Sequence, residues 1–147
     1  MLLWIAVHAV LGLIIGSFLN VVVLRKNTGK SLAGRSGCLS CGQSLRTQHL
    51  LPVVSWVFLR GRCAYCGSAI SVQYPLVEIG TALLFSLVAL MYLPLISHIG
   101  ALVLMSYWVC IATYDIRHTI IPDDWVYGAA GAAFLTTVAL FPAALSS

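Results

Sequence analysis

Four of the five cysteines fall in two Cys-x-x-Cys pairs, Cys38-x-x-Cys41 and Cys63-x-x-Cys66, each followed by glycine and separated by 21 residues. Four thiolates at this spacing can close a tetrahedral zinc site, with Gly42 and Gly67 permitting the tight turns at each pair. Such a site is structural, because catalytic zinc keeps an open coordination position. Two redox-active dithiols are the alternative, although no βαβ pattern of the thioredoxin kind surrounds either pair. Cys110 stands alone in an apolar block and is expected in the core. The chain has only four acidic residues, Glu78, Asp115, Asp123 and Asp124. Asp123 and Asp124 follow Pro122 and precede an apolar block, a position that suits helix N-capping. Asp115 sits at the end of a block, where the helix dipole disfavours a carboxylate, and is therefore the stronger functional candidate. Glu78 lies about one turn inside another block, and an ionisable group so close to a bilayer is a candidate as well.

The elements that must position these groups belong to a membrane protein. The 147 residues are 61% hydrophobic and 8% charged, against roughly 25% charged in a soluble domain. A helix crosses the hydrocarbon core with about 20 apolar residues, and four blocks qualify: 2–24, 75–96, 98–114 and 125–145. The third is short and could equally be tilted, buried or partly interfacial. The first has neither a basic segment before it nor a small-residue cleavage site after it, which argues against a signal peptide. The expected fold is an all-α polytopic membrane protein with about four transmembrane helices and a zinc-binding loop between the first two. Its divisions are a first helix at 1–24, a tetracysteine loop at 25–73, and the remaining helices at 74–147.

Seven of the eight Lys and Arg lie between the first two blocks: Arg25, Lys26, Lys30, Arg35, Arg46, Arg60 and Arg62, with no Asp or Glu among them. Short loops rich in these residues stay cytoplasmic, so the N-terminus is expected outside, in the periplasm, and residues 25–73 inside. The connection at 93–97 then lies outside, and 116–124, which holds the eighth basic residue, Arg117, lies inside again. Glu78 and Asp115 both come near the cytoplasmic boundary and could face each other. A reducing compartment favours metal over disulfides at the four cysteines. A loop of about 50 residues with little apolar patterning needs metal binding to supply its folding free energy. Membrane topology accounts for the basic charge without nucleic acid. Asn20 and Ser17 are expected to hydrogen-bond across helices, and Gly128 and Gly131, with the alanines around them, to form a small-residue packing face. His49 and His118 are expected as solvated loop residues.

The stretches GSFLNVVVLR (16–25), LPVVSWVFLRGRC (51–63) between the two cysteine pairs, YPLVEIGTALLF (74–85) and YDIRHTIIPD (114–123) resemble, in order, the type IV prepilin peptidases. These are bacterial inner-membrane aspartic endopeptidases that remove the leader from prepilins and pseudopilins of type IV pili and type II secretion. Many also N-methylate the new N-terminus with S-adenosylmethionine. The resemblance implies that Asp115 is the first of two catalytic aspartates, with Ile121, Pro122 and Asp123 as the signature after it. It implies that Cys38, Cys41, Cys63 and Cys66 hold structural Zn2+, and that Asn20 and Glu78 can support the site. No Gly-rich strand-to-helix turn is present, so no residue is assigned to S-adenosylmethionine. The second aspartate of the family lies in a downstream Gly-x-Gly-Asp motif that these 147 residues lack. The isolated chain is therefore expected to be inactive, as the N-terminal portion of the enzyme. The alternative is a non-catalytic zinc-knuckle membrane protein, truncated or degenerate, that binds prepilin, a second copy or a partner subunit.

Overall fold

The computed structural model describes residues 1–29, 31–32 and 34–145, with side chains of the last helix as far as Val138; Lys30 lies outside the described residues. Four long helices, α1 (Leu2–Arg25), α3 (Gln73–Leu90), α4 (Leu95–His118) and α5 (Asp123–Leu145), are joined by a cysteine-bearing loop and two short turns. The loop contains a 3-10 turn at Thr47–Leu50 and the short helix α2 (Val54–Phe58). Among the described residues there is no strand, only two isolated bridges, Gly37 to Ser44 and Arg62 to Ala69. Among the described residues, three helices, α1, α3 and α4, are long and apolar enough to cross a membrane. Their outer stripes, such as Leu3, Val7, Val10, Ile14 and Phe18 on α1, are exposed on the isolated chain. Apolar side chains presented on this scale need lipid rather than water around them.

The break between the second and third helices differs from the one expected. The apolar run divides at residues 91–94, overlapping the connection expected at 93–97 but beginning two residues earlier. Pro94 occupies the N-cap of α4; it lacks an N–H to continue α3 and disfavours helix in the residue before it. The third helix is consequently 24 residues and not the short segment anticipated, about 36 Å long. It ends where Thr119 turns left-handed, at φ 51°, and donates its N–H to the Asp115 carbonyl at 2.7 Å.

Close approach of backbones builds the bundle. A Cβ on Gly12 would lie 2.5 Å from the Cα of Ala82, and one on Gly16 would lie 2.8 Å from the Cα of Glu78. One turn further along α1, the fully buried Asn20 donates from Nδ2 to the Tyr74 carbonyl at 3.1 Å. Each four-residue step along α1 is thus matched by a four-residue step back along α3, an antiparallel pair seated on Gly-x-x-x-Gly. In the α4–α5 pair the glycines instead make room for side chains, Gly100 for Thr136 and Gly128 for Tyr107. Gly131, expected on the same small face, has nothing within 4 Å of an added Cβ. Helices α1 and α4 run parallel and enclose a core of Leu19, Val23, Cys110 and Tyr114.

Contacts at the two ends fix which termini lie together. Lys26 forms an ion pair with Asp124 and sits 5.2 Å over the Trp125 ring, while Asn27 donates to the Tyr114 hydroxyl at 3.3 Å. The cysteine loop and the α4–α5 turn therefore share one end of the bundle. At the other end, His8 and His98 meet Nε2 to Nε2 at 2.8 Å, with the Trp4 ring beside both.

Candidate metal centre and acidic residues

The cysteine loop is built as two copies of one turn, related by an offset of 25 residues. The Cys38 N–H donates to the Gln43 carbonyl at 3.0 Å and the Gly42 N–H to the Cys38 carbonyl at 2.9 Å. In the second copy, the Cys63 N–H donates to the Ser68 carbonyl at 2.8 Å and the Gly67 N–H to the Cys63 carbonyl at 3.0 Å. Gly42 and Gly67 both have φ of 70°, which closes each turn and which a side chain would strain. Together the turns bring all four Sγ atoms within 4.8 Å of one another, with Cys38 and Cys66 3.8 Å apart. Tetrahedral ligands at a Zn–S distance of 2.3 Å stand about 3.8 Å from each other, so the cluster fits such an ion.

The surroundings favour a thiolate at Cys38 and Cys66, whereas loss of solvent and the neighbouring Cys38 and Cys66 push the Cys41 thiol up to about 11. The Cys41 N–H, then the Ser68 hydroxyl and the Ser40 N–H, draw the Cys38 thiol down to about 5. The Ser68 hydroxyl, 3.1 Å from Cys66 Sγ, leads in lowering that thiol as well. All five cysteines are free thiols. A single cluster of four, rather than two separate dithiols, is the arrangement that a metal requires. Cys110 is buried in the core, as expected from its apolar block.

The acidic residues separate into different environments. Glu78 is buried, and its Oε2 accepts the Val53 N–H at 2.6 Å; the carboxylate also interacts with the Ser17 side chain. Val53 has φ of 60°, a conformation that a β-branched residue rarely adopts, so Glu78 holds a strained point of the loop. Asn20 also accepts from Gln73 Nε2 at 3.4 Å and thereby braces the start of α3. Asp115 is exposed in the last turn of α4, and its carboxylate makes no hydrogen bond or ion pair among the described residues. Nothing joins Glu78 to Asp115 there. Asp123 is exposed at the first position of α5, and Asp124 follows it in the first turn with its carboxylate on Lys26. Both favour the positive end of the helix dipole from inside the helix, not from the N-cap position.

His49 is a half-buried loop residue rather than a fully solvated one: it packs edge-on against Tyr65 of the second cysteine turn, at 5.5 Å between ring centroids, with Nδ1 buried. His118 is the last residue of α4, stacked on Tyr114 at 4.3 Å, and not part of a loop. The seat of α3 on Gly12 and Gly16 had a sequence signal, the Gly-x-x-x-Gly spacing inside an apolar 20-mer. The His8–His98 pair and the Lys26–Asp124 pair had none, since each joins residues about 90 or more positions apart.

Fold and site together define a helical membrane protein with four thiols, placed as a metal would need them, at one end of its bundle. Residues 10–92 match the family described as Bacterial Peptidase A24 N-terminal domain, and the chain belongs to that family. It is 36% identical over 143 residues to a prepilin leader peptidase/N-methyltransferase of Pectobacterium carotovorum, covering 82% of this chain and 51% of that protein. The protein of the same description in Myxococcus xanthus is 45% identical over 114 residues, covering 77% and 34% respectively. A type 4 prepilin-like proteins leader peptide-processing enzyme of Escherichia coli is 39% identical over 137 residues, covering 80% and 51%. The chain spans about half the length of most of these relatives. No solved structure matches it.

Proposed function

We propose that this chain is the N-terminal portion of a membrane-embedded aspartic endopeptidase that removes the leader peptide from type IV prepilins or pseudopilins. The observation that carries the proposal is identity of 33–45% to relatives named for this activity, across about four fifths of the chain. Asp115 is the group assigned to the chemistry. A free, exposed carboxylate at the end of α4 can take a proton from water while a second, protonated carboxyl polarises the scissile carbonyl. That second carboxyl is assigned to the region beyond these residues. Glu78 is held by Val53, and Asp124 by Lys26. Asp123 begins α5 eight positions after Asp115 and supports the turn between them.

The tetracysteine loop, residues 25–73, is assigned one structural Zn2+ on Cys38, Cys41, Cys63 and Cys66. When bound, the ion ties the two cysteine turns to each other; it takes no part in hydrolysis, because four thiolates leave no open position. The helices at 1–24 and 74–147 are assigned four membrane crossings in the bacterial inner membrane, with the zinc loop cytoplasmic. N-methylation of the new N-terminus with S-adenosylmethionine is carried by the relatives' names alone. The decisive experiment assays leader cleavage by the chain extended to the length of its relatives. Asp115→Asn should abolish cleavage without loss of folded protein, because an amide cannot accept the water's proton. Cleavage by the 147-residue chain alone, lost on Asp115→Asn, would instead place the second carboxyl within this chain or a second copy of it.

A further inference from the structure

The segment between the two cysteine turns carries an apolar edge that the metal centre does not use. Leu50, Leu51, Val54, Val57 and Phe58 are all exposed, Phe58 to 83%. Val54, Val57 and Phe58 share one face of α2, and Leu50 and Leu51 lie in the turn that leads into it. The opposite side of α2 is fastened down. The Trp56 indole N–H donates to the Ile70 carbonyl at 3.3 Å, and its ring lies against Gly61, where an added Cβ would be 2.9 Å from Cζ2. The apolar edge is therefore turned away from the cysteine turns by a fixed contact.

Its height in the molecule is fixed too. The Val53 N–H bonds the carboxylate of Glu78, the sixth residue of α3, and so holds the segment beside the first turns of an apolar span. Exposed Arg46, Arg60 and Arg62 flank the edge, and no Asp or Glu occurs between Arg25 and Gln73. Five apolar side chains are few against the 20–30 residues per side of a stable protein interface. They suit shallow burial at the level of the lipid headgroups, where cationic side chains meet anionic lipid.

We propose that residues 50–58 form an interfacial anchor, with Leu50, Leu51, Val54, Val57 and Phe58 dipped into the leaflet beside α3 and Arg46, Arg60 and Arg62 on anionic headgroups. The cysteine turns are thereby held against the membrane surface by lipid as well as by Glu78. This rests on the membrane character of the helices and not on the peptidase assignment or on which side of the membrane the loop occupies.

The test uses the whole chain, zinc-loaded, in vesicles of phosphatidylcholine with or without phosphatidylglycerol. A fluorescent amino acid incorporated at position 58, or at position 44 as a reference, is quenched by brominated acyl chains or by aqueous iodide. Position 58 should be quenched strongly by the brominated chains and severalfold less by iodide than position 44, the more so with phosphatidylglycerol. Retained zinc verifies the fold of each variant. Replacing Arg60→Gln and Arg62→Gln together should remove the dependence on phosphatidylglycerol. Equal iodide quenching at 58 and 44 in both lipids overturns the anchor. Protection of position 58 that disappears on dilution with excess lipid also overturns it, in favour of contact with a second copy. Full phosphatidylglycerol dependence in the double arginine variant overturns the role of those charges.

Discussion

Glu78 shows how burial changes what a carboxylate in this chain is for. Its position near the start of α3 made it a candidate neighbour for Asp115, yet it accepts the N–H of Val53 at 2.6 Å inside the protein. Glu78→Ala leaves that donor unsatisfied, at a cost of about 1–3 kcal/mol. It should also release the loop around Val53, read as faster proteolysis between the two cysteine turns. Glu78→Gln keeps an acceptor oxygen and should behave close to wild type. In the extended enzyme, leader cleavage should then survive Glu78→Gln and not Asp115→Asn; loss of cleavage in both would give Glu78 a chemical role. The cysteines call for a different measurement. Elemental analysis of the purified chain should find about one zinc, and Cys41→Ser should lose it, since three thiolates no longer complete the tetrahedron. Full zinc content in a variant lacking all four cysteines would rule the site out.

Among the elements, α1 and α3 depend on two glycines where their backbones touch. Gly12→Ala puts a methyl 2.5 Å from the Ala82 Cα, a backbone atom that cannot rotate away. The helices must separate, and destabilisation of about 1–3 kcal/mol is expected from such overpacking. Gly131→Ala provides the contrast, because nothing lies within 4 Å of the added atom. It should be neutral, or stabilising by up to about 1 kcal/mol through helix propensity. Thermal unfolding of the two variants in the same detergent distinguishes them, and equal effects would mean that the α1–α3 contact is not close. The connecting loop has little apolar core of its own, so stripping its metal with a chelator should unfold residues 38–66 while the four long helices keep their circular dichroism.

For the whole molecule, the contacts among α1, α3, α4 and α5 place the cysteine loop, Asp115 and the α4–α5 turn at one end of the bundle. The positive-inside argument predicts that this end faces the cytoplasm. An impermeant thiol reagent applied to intact, zinc-replete cells should therefore miss Ser44→Cys and reach it only after lysis. Strong labelling of intact cells would reverse the orientation. The sequence by itself determined the helical membrane class, the four cysteines as one candidate site, and the family, because apolar length, Cys-x-x-Cys spacing and ordered motifs are local along the chain. It also placed Asp115 at the end of its helix, since that depends on where one apolar run stops. It located the connection around Pro94 but set its edges a few residues late, because apolarity continues through the turn while the proline interrupts the helix. Tertiary structure alone decided that Glu78 holds Val53, that Lys26 pairs with Asp124 and that His8 meets His98. A polar group in an apolar helix takes as its partner whatever packing brings within hydrogen-bond reach, and that packing is set by the shape of glycine seats such as Gly12 and Gly16 rather than by the polar residue's own neighbours in sequence.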